Sequence, residues 1–162
     1  LNKNNINIYG LIVGDVAANK VGFLEELKNK AIELGIKDKV SFIGHRNDLR
    51  EIMSISKIVF SLSSEPEAFG RTTIESLKIG VPVIGYGHGG VGEQLKEIFP
   101  QGIIKKNDIS SAVVLCKKWI KKAPKVTKTD SFNLETMQRN TLNIYMTALK
   151  NRWKKNLKLI YG

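Results

Sequence analysis

Five short apolar runs, at residues 6–13, 39–43, 57–62, 81–85 and 101–104, constrain this 162-residue chain more than any other feature. Each is too short for a typical helix, and none alternates cleanly between apolar and polar residues. Continuous runs suit strands covered on both faces, the condition of a parallel sheet between helices. The segments between them carry helical spacing. Val21, Leu24, Leu27, Ala31 and Leu34 fall on one face of a helix over 20–34, which Gly35 closes as its C-cap. Asn47 or Asp48 caps a short helix through Ser54, with Leu49, Ile52 and Met53 inward. A helix opens at Phe69-Gly70 and covers 72–78, a short one spans 92–98, and Asn107-Asp108 caps one over 109–120. A last helix over 133–153 carries Leu134, Met137, Leu142, Tyr145, Met146 and Leu149. This alternation predicts an α/β fold with a doubly wound, mostly parallel sheet and helices on both faces.

Every glycine-bearing loop in this pattern follows the carboxyl end of a strand. These are Gly14-Asp15, Gly44-His45-Arg46, the stretch from Glu65 to Gly70, and the glycine-rich loop 86–92. In parallel sheets such loops open on one rim, and that rim is where ligands bind. The stretch 63–93 is the richest of them. Backbone N–H groups of Phe69, Gly70 and Arg71 at a helix start suit a phosphate; Gly70 can equally be a plain N-cap. Glu75, one turn into the helix, is placed to accept from a vicinal diol such as a ribose, or is an ordinary exposed position. Glu67 reads as a ligand for sugar hydroxyls or as a solvated turn residue.

The net charge of +11 attracts polyanions. Lys105, Lys106, Lys117, Lys118, Lys121, Lys122, Lys125 and Lys128 crowd one stretch, and Lys150, Arg152, Lys154, Lys155 and Lys158 another. The readings are a solvated lysine-rich surface, or peripheral contact with an anionic membrane or lipid-linked acceptor. Nucleic acid is not expected, because no aromatic–basic interleaving accompanies the charge. No apolar run of about 18 residues exists to cross a membrane. The N-terminus lacks the apolar core of a signal peptide. One cysteine, Cys116, lies on an apolar helix face and fits a structural role in a reducing cytoplasm. The absence of an initiator Met suggests a piece of a longer protein.

Glu67-Ala-Phe-Gly-Arg-Thr-Thr-Ile-Glu75 sets seven residues between two glutamates. It resembles the E-x7-E signature of the group 1, family 4 glycosyltransferases of GT-B fold. The surroundings are similar as well: Ile12-Val-Gly-Asp15, the stretch Gly35 to Gly44, Gly80-Val-Pro-Val-Ile84, and Gly89-Gly90 with Glu93. The resemblance covers about residues 6–120. It implies a Rossmann-like donor-nucleotide-binding domain over 1–122, a linker at 123–131, an amphipathic helix of the same domain at 132–153 and a basic tail at 154–162. It further implies a retaining transferase that moves a sugar from a nucleotide-diphosphate sugar to a glycan or lipid-linked acceptor in surface polysaccharide or lipopolysaccharide synthesis. The expected location is cytoplasmic, and no cofactor or essential metal is expected.

Carried over residue by residue, Glu67 is the catalytic position, contacting the donor sugar near the reaction centre. Glu75 binds the donor ribose. Backbone amides of Ala68, Phe69, Gly70, Arg71 and Thr72 hold the diphosphate. His45 and Arg46 lie near the base, and Gly14, Gly89 and Gly90 complete the donor-binding set. Arg71 adds charge to the diphosphate or is simply exposed. The chain departs from the family in two ways. Nothing before Ile6 supplies the usual first strand and helix with their diphosphate-neutralising Arg and Lys, and no acceptor-binding domain precedes it. The fragment is therefore expected to bind donor weakly, to be inactive alone, and to need another segment or chain to complete its sheet. Two other readings are a nucleotide-sugar epimerase of the same fold and a non-catalytic nucleotide-binding module. A phosphoacceptor receiver prompted by Asp15 lacks the acidic cluster it would need.

Overall fold

The computed structural model describes residues 6–16, 21–127 and 131–161. The predicted alternation is present. Strands β1 (Gly10–Ile12), β2 (Val40–Phe42), β3 (Val59–Ser61), β4 (Val83–Tyr86) and β5 (Ile103–Ile104) alternate with helices α1 (Val21–Glu33), α2 (Leu49–Ile55), α3 (Arg71–Lys78), α4 (Gly89–Ile98) and α5 (Ile109–Lys121). The long helix α6 (Leu134–Tyr161) follows. All strand pairs are parallel, with Gly10 opposite Val40, Val59 opposite Val83 and Gly85 opposite Ile103.

The strands do not form one sheet. β1 pairs with β2, and β3, β4 and β5 pair in that order. Neither β1 nor β3 has a partner on its outer edge among the described residues. Both edges line a cleft of about 670 Å³, walled by apolar residues of α2 and α5 including Met53, Cys116 and Ile120. This corrects the expectation that every apolar run is covered on both faces. Leu11, Ile12 and Phe60 are exposed, and they lie on the two strands whose outer edges are unpaired among the described residues.

The core sits on β4. Val83 and Ile84 are fully buried, under Leu77 from α3, Val91 and Leu95 from α4, and Cys116 and Trp119 from α5. Phe99 and Trp119 meet edge to face at 5.4 Å, a geometry that adds to simple area burial. Burial also raises the pKa of the Cys116 thiol, which keeps it an inert packing group.

Local signals hold in part. Gly35 adopts φ 64° and its N–H donates to Ile32 O at 2.9 Å, closing α1 as expected. Asp108 caps α5, its carboxylate accepting from the backbone and the hydroxyl of Ser111 at 2.9 and 2.6 Å. Those bonds hold the Asp108 carboxyl below its usual range. Asp48 occupies the N-cap of α2, but its carboxylate is turned to Arg46 and does not cap. α4 begins at Gly89, three residues before the expected Gly92, because close packing described below draws the glycines into the helix. α6 continues to Tyr161, so helix extends through most of the stretch expected as a basic tail. Its Leu134, Met137, Leu142, Tyr145, Met146 and Leu149 are exposed. Lys128 lies outside the described residues.

The contrast between β4 and α6 is measurable. Leu95 is fully buried, so Leu95→Ala should cost about 2–5 kcal/mol in urea unfolding. Leu149, 61% exposed, should tolerate the same truncation within about 0.5 kcal/mol. Equal costs at the two positions would contradict the placement of the core.

Candidate functional site

The strand-end loops gather in two groups. In the first, Gly14 N–H donates to Gly44 O at 2.8 Å, and His45 N–H donates to the Asp15 carboxylate at 3.1 Å. Asp15 is thus a brace between the loops after β1 and β2. Arg46 grips Asp48 through two nitrogens at 2.8 and 2.6 Å. Donating to the Asp48 carboxylate raises the Arg46 pKa, and those same hydrogen bonds lower that of Asp48. The His45 ring lies 3.3 Å from Asn47 Oδ1.

The second group joins the loops after β3, β4 and β5. His88 reaches Ser63 O at 3.1 Å, Lys106 donates to Ser64 O at 2.6 Å, and Gly90 N–H donates to Glu67 O at 2.8 Å. Among the described residues no hydrogen bond or ion pair joins the two groups. Gly14, His45 and Arg46 therefore stand in one group. Glu67, Ala68, Phe69, Gly70, Gly89 and Gly90 stand in the other.

The second group is built on contact between two backbones. A Cβ on Gly90 would lie 2.5 Å from Phe69 Cα and O, and one on Gly89 would lie 2.6 Å from Glu67 O. No side chain fits in that space. The two glycines thus seat the N-terminus of α4 directly against the 67–69 stretch. Their expected donor-binding role gains a simpler structural cause, since their lack of side chains shapes the loop. Gly70 follows with φ 77° as N-cap of α3, its carbonyl accepting from Thr73 N at 3.1 Å. No acceptor is found for the Gly70 or Arg71 N–H among the described residues. These two amide donors at a helix start are thus unpaired among the described residues, on an exposed Arg71 and a buried Gly70.

Along α3, Thr73, Ile74, Ser76 and Leu77 are buried while Arg71 is exposed. Glu75 is half-buried and its carboxylate meets Arg71 Nη2 at 3.3 Å. The ion pair is a local i,i+4 contact with Arg71 83% exposed, so water screens it strongly. Glu67 is exposed. Thr72 is half-buried and lines the cleft between β1 and β3. Among the described residues no group of three or more His, Cys, Asp or Glu is placed to hold a metal ion.

Three contributors escaped the sequence reading. Gln94 of α4, fully buried, donates its side-chain amide to Phe69 O. Its signal was a polar residue in an apolar stripe with Val91, Leu95 and Ile98. Lys106 was counted only as surface charge. Phe132 holds φ 57°, rare for a bulky residue, and its ring stands edge-on to Phe69 at 6.2 Å.

Comparison with known proteins follows this geometry. The family model described as "Glycosyl transferases group 1" matches residues 1–133. The N-acetyl-alpha-D-glucosaminyl L-malate synthase of Bacillus anthracis is 35% identical over 86 residues, which are 53% of this chain and 21% of that protein. A glycosyltransferase from Rickettsia africae superposes with a TM-score of 0.76 at 26% identity, over 93% of this chain and 42% of its own. HepE of Anabaena in complex with UDP-glucose superposes with a TM-score of 0.63 at 25% identity, over 71% of this chain and 32% of its own. The chain thus spans about a fifth of the curated relative and less than half of either solved structure. A parallel α/β fold flanked by helices, a helix start with free amides below the Glu67 loop, and a family match over most of its length agree: the chain belongs to the group 1 glycosyl transferases.

Proposed function

We propose that residues 1–122 are the donor-nucleotide-binding domain of a retaining glycosyltransferase. The observation that carries this reading is the start of α3, where the Gly70 and Arg71 amides are unpaired and Glu75 stands one turn further on. Amides and the positive end of the helix suit a diphosphate. Glu75, held by a weak exposed pair, can exchange Arg71 for the two hydroxyls of a ribose. Glu67, exposed beside them, is placed to meet the donor sugar. The main catalytic contribution would come from donors aimed at the charge that builds on the leaving diphosphate. Arg71 is free to swing from Glu75 toward that charge. HepE in complex with UDP-glucose supports a nucleotide sugar as the ligand class.

The whole protein would supply what this stretch does not. The parallel edges of β1 and β3 on one apolar cleft suit one further parallel strand, in our reading donated by another part of the full polypeptide. An acceptor-binding domain would face the rim and present a glycan or lipid-linked acceptor. No helix among the described residues is long and apolar enough to cross a membrane. The exposed Lys118, Lys121, Lys122 and Lys125 would instead draw an anionic lipid surface.

UDP and UDP-sugars should raise the melting temperature of the chain. Ligand at 100 times its Kd adds about 2.7 kcal/mol. For a chain of this size that is roughly 5–10 °C. Glu75→Ala should remove most of the response, and an equal response would sink the ribose assignment. The 162 residues alone should transfer no sugar, whereas measurable turnover by them would overturn the need for a second domain. Vesicles rich in anionic lipid should sediment the protein at low salt and release it at high salt. Binding that is absent at both would leave the lysines as solvated surface.

A further inference from the structure

Gln94 is out of place by packing logic alone. It lies fully buried on α4 between Val91 and Leu95. Its Nε2 donates to Phe69 O, but its Oε1 has no partner. A buried amide that is only half satisfied is costly, and an apolar side chain of similar volume would avoid that cost. The opposite amide orientation would set two oxygens against each other, so the donor must face Phe69.

We propose that Gln94 is a positioning residue, which orients the Phe69–Gly70 peptide so that the Gly70 N–H is offered to the ligand. The chain has no cis peptide bond among its described residues, so the Phe69 C=O and the Gly70 N–H point in opposite directions. Holding the carbonyl toward α4 turns the amide away from it. No described residue accepts from that amide. The Gly70 carbonyl is fixed separately by Thr73 N–H, so the residue is held on both sides. The Gly90 backbone and the Phe132 ring also bear on Phe69, but neither bonds its carbonyl. Without the Gln94 donor the peptide is free to rotate, and part of the ligand's binding energy goes to ordering it. The ligand part of this inference rests on the donor-site reading above; the loop part does not.

The test uses the 13C,15N-labelled chain with Gln94→Met and Gln94→Glu. In the wild type, the Gln94 side-chain amide should show a through-bond coupling to the Phe69 carbonyl carbon; its absence overturns the proposal without any variant. In ligand-free Gln94→Met, backbone order parameters over 67–71 should fall from about 0.85 to below about 0.6, while α3 and α4 stay rigid. A loop that stays rigid overturns the clamp. Titrated with UDP, the wild type should move the Gly70 amide resonance, and Gln94→Met should bind about tenfold more weakly. Gln94→Glu adds a pH signature that packing alone would not produce. Burial raises the carboxyl pKa, so the neutral acid donates to Phe69 O at low pH and the carboxylate repels it at high pH. Its UDP affinity, as a ratio to wild type, should recover as pH falls from about 8 to about 5. A flat ratio counts against the proposal. If the wild type binds no UDP at all, the donor-site reading fails, while the coupling and the loop order still decide the clamp.

Discussion

The site depends on one contact: the backbone of Gly90 against the backbone of Phe69, at a distance that no Cβ could share. Everything around the start of α3 follows from it. The Gly90 N–H fixes Glu67 O, Gln94 fixes Phe69 O, and Gly70 turns left-handed to launch the helix. Such contacts fix the position of a backbone rather than of a side chain. A loop held by its own main chain leaves the side chains of Glu67 and Phe69 outside, where a ligand can meet them. The same design places free amides at a rigid helix start, so little ordering is left for the ligand to induce.

The second half of the molecule is packed and the first half is open. β4 is covered by α3, α4 and α5, and its side chains are lost to solvent. Among the described residues β1 and β2 have only each other as sheet partners, and Tyr9, Leu11 and Ile12 are exposed. This division coincides with the two loop groups. The Glu67 group rests on the packed core, whereas the His45–Arg46 group rests on the open pair of strands. The loops proposed to meet phosphate and ribose are therefore backed by the packed core, and the loop proposed to meet the base depends on what holds β1 against β3.

Much of this was legible in the sequence. Each of the five apolar runs coincides with a strand, and every helix except α6, which runs eight residues past its expected end at 153, was placed within a few residues. The early start of α4 is instructive. Gly89-Gly90-Val-Gly92 reads as loop by propensity, since glycine disfavours a helix interior. Close approach to Phe69 outweighs that preference, and it involves residues some 20 positions upstream that no local window contains. The split of the sheet was hidden for a related reason. Apolar runs report burial in the finished protein, and they cannot say which strands pair. Glu67, Gly70 and Glu75 were visible because their spacing is local. Gln94 and Phe132 were given no role at the site because their partner, Phe69, is distant in sequence.

The exposed apolar surface has a consistent distribution. Leu11, Ile12 and Phe60 belong to the two strands bordering the cleft, and Leu134, Met137, Leu142, Tyr145, Met146 and Leu149 belong to α6. The β4 core shows nothing comparable. Scattered exposed apolar residues are ordinary on soluble proteins, but rows of them along two strand edges and one long helix are not. An unpaired parallel edge also leaves backbone donors and acceptors open to unwanted pairing. Both features are unfavourable in an isolated chain and would suit a larger one, with a further strand in the cleft and a neighbouring domain on the helix, as proposed above. On that reading the fold separates two tasks: the β4 core backs the proposed donor site, and the open strands and α6 would serve for attachment.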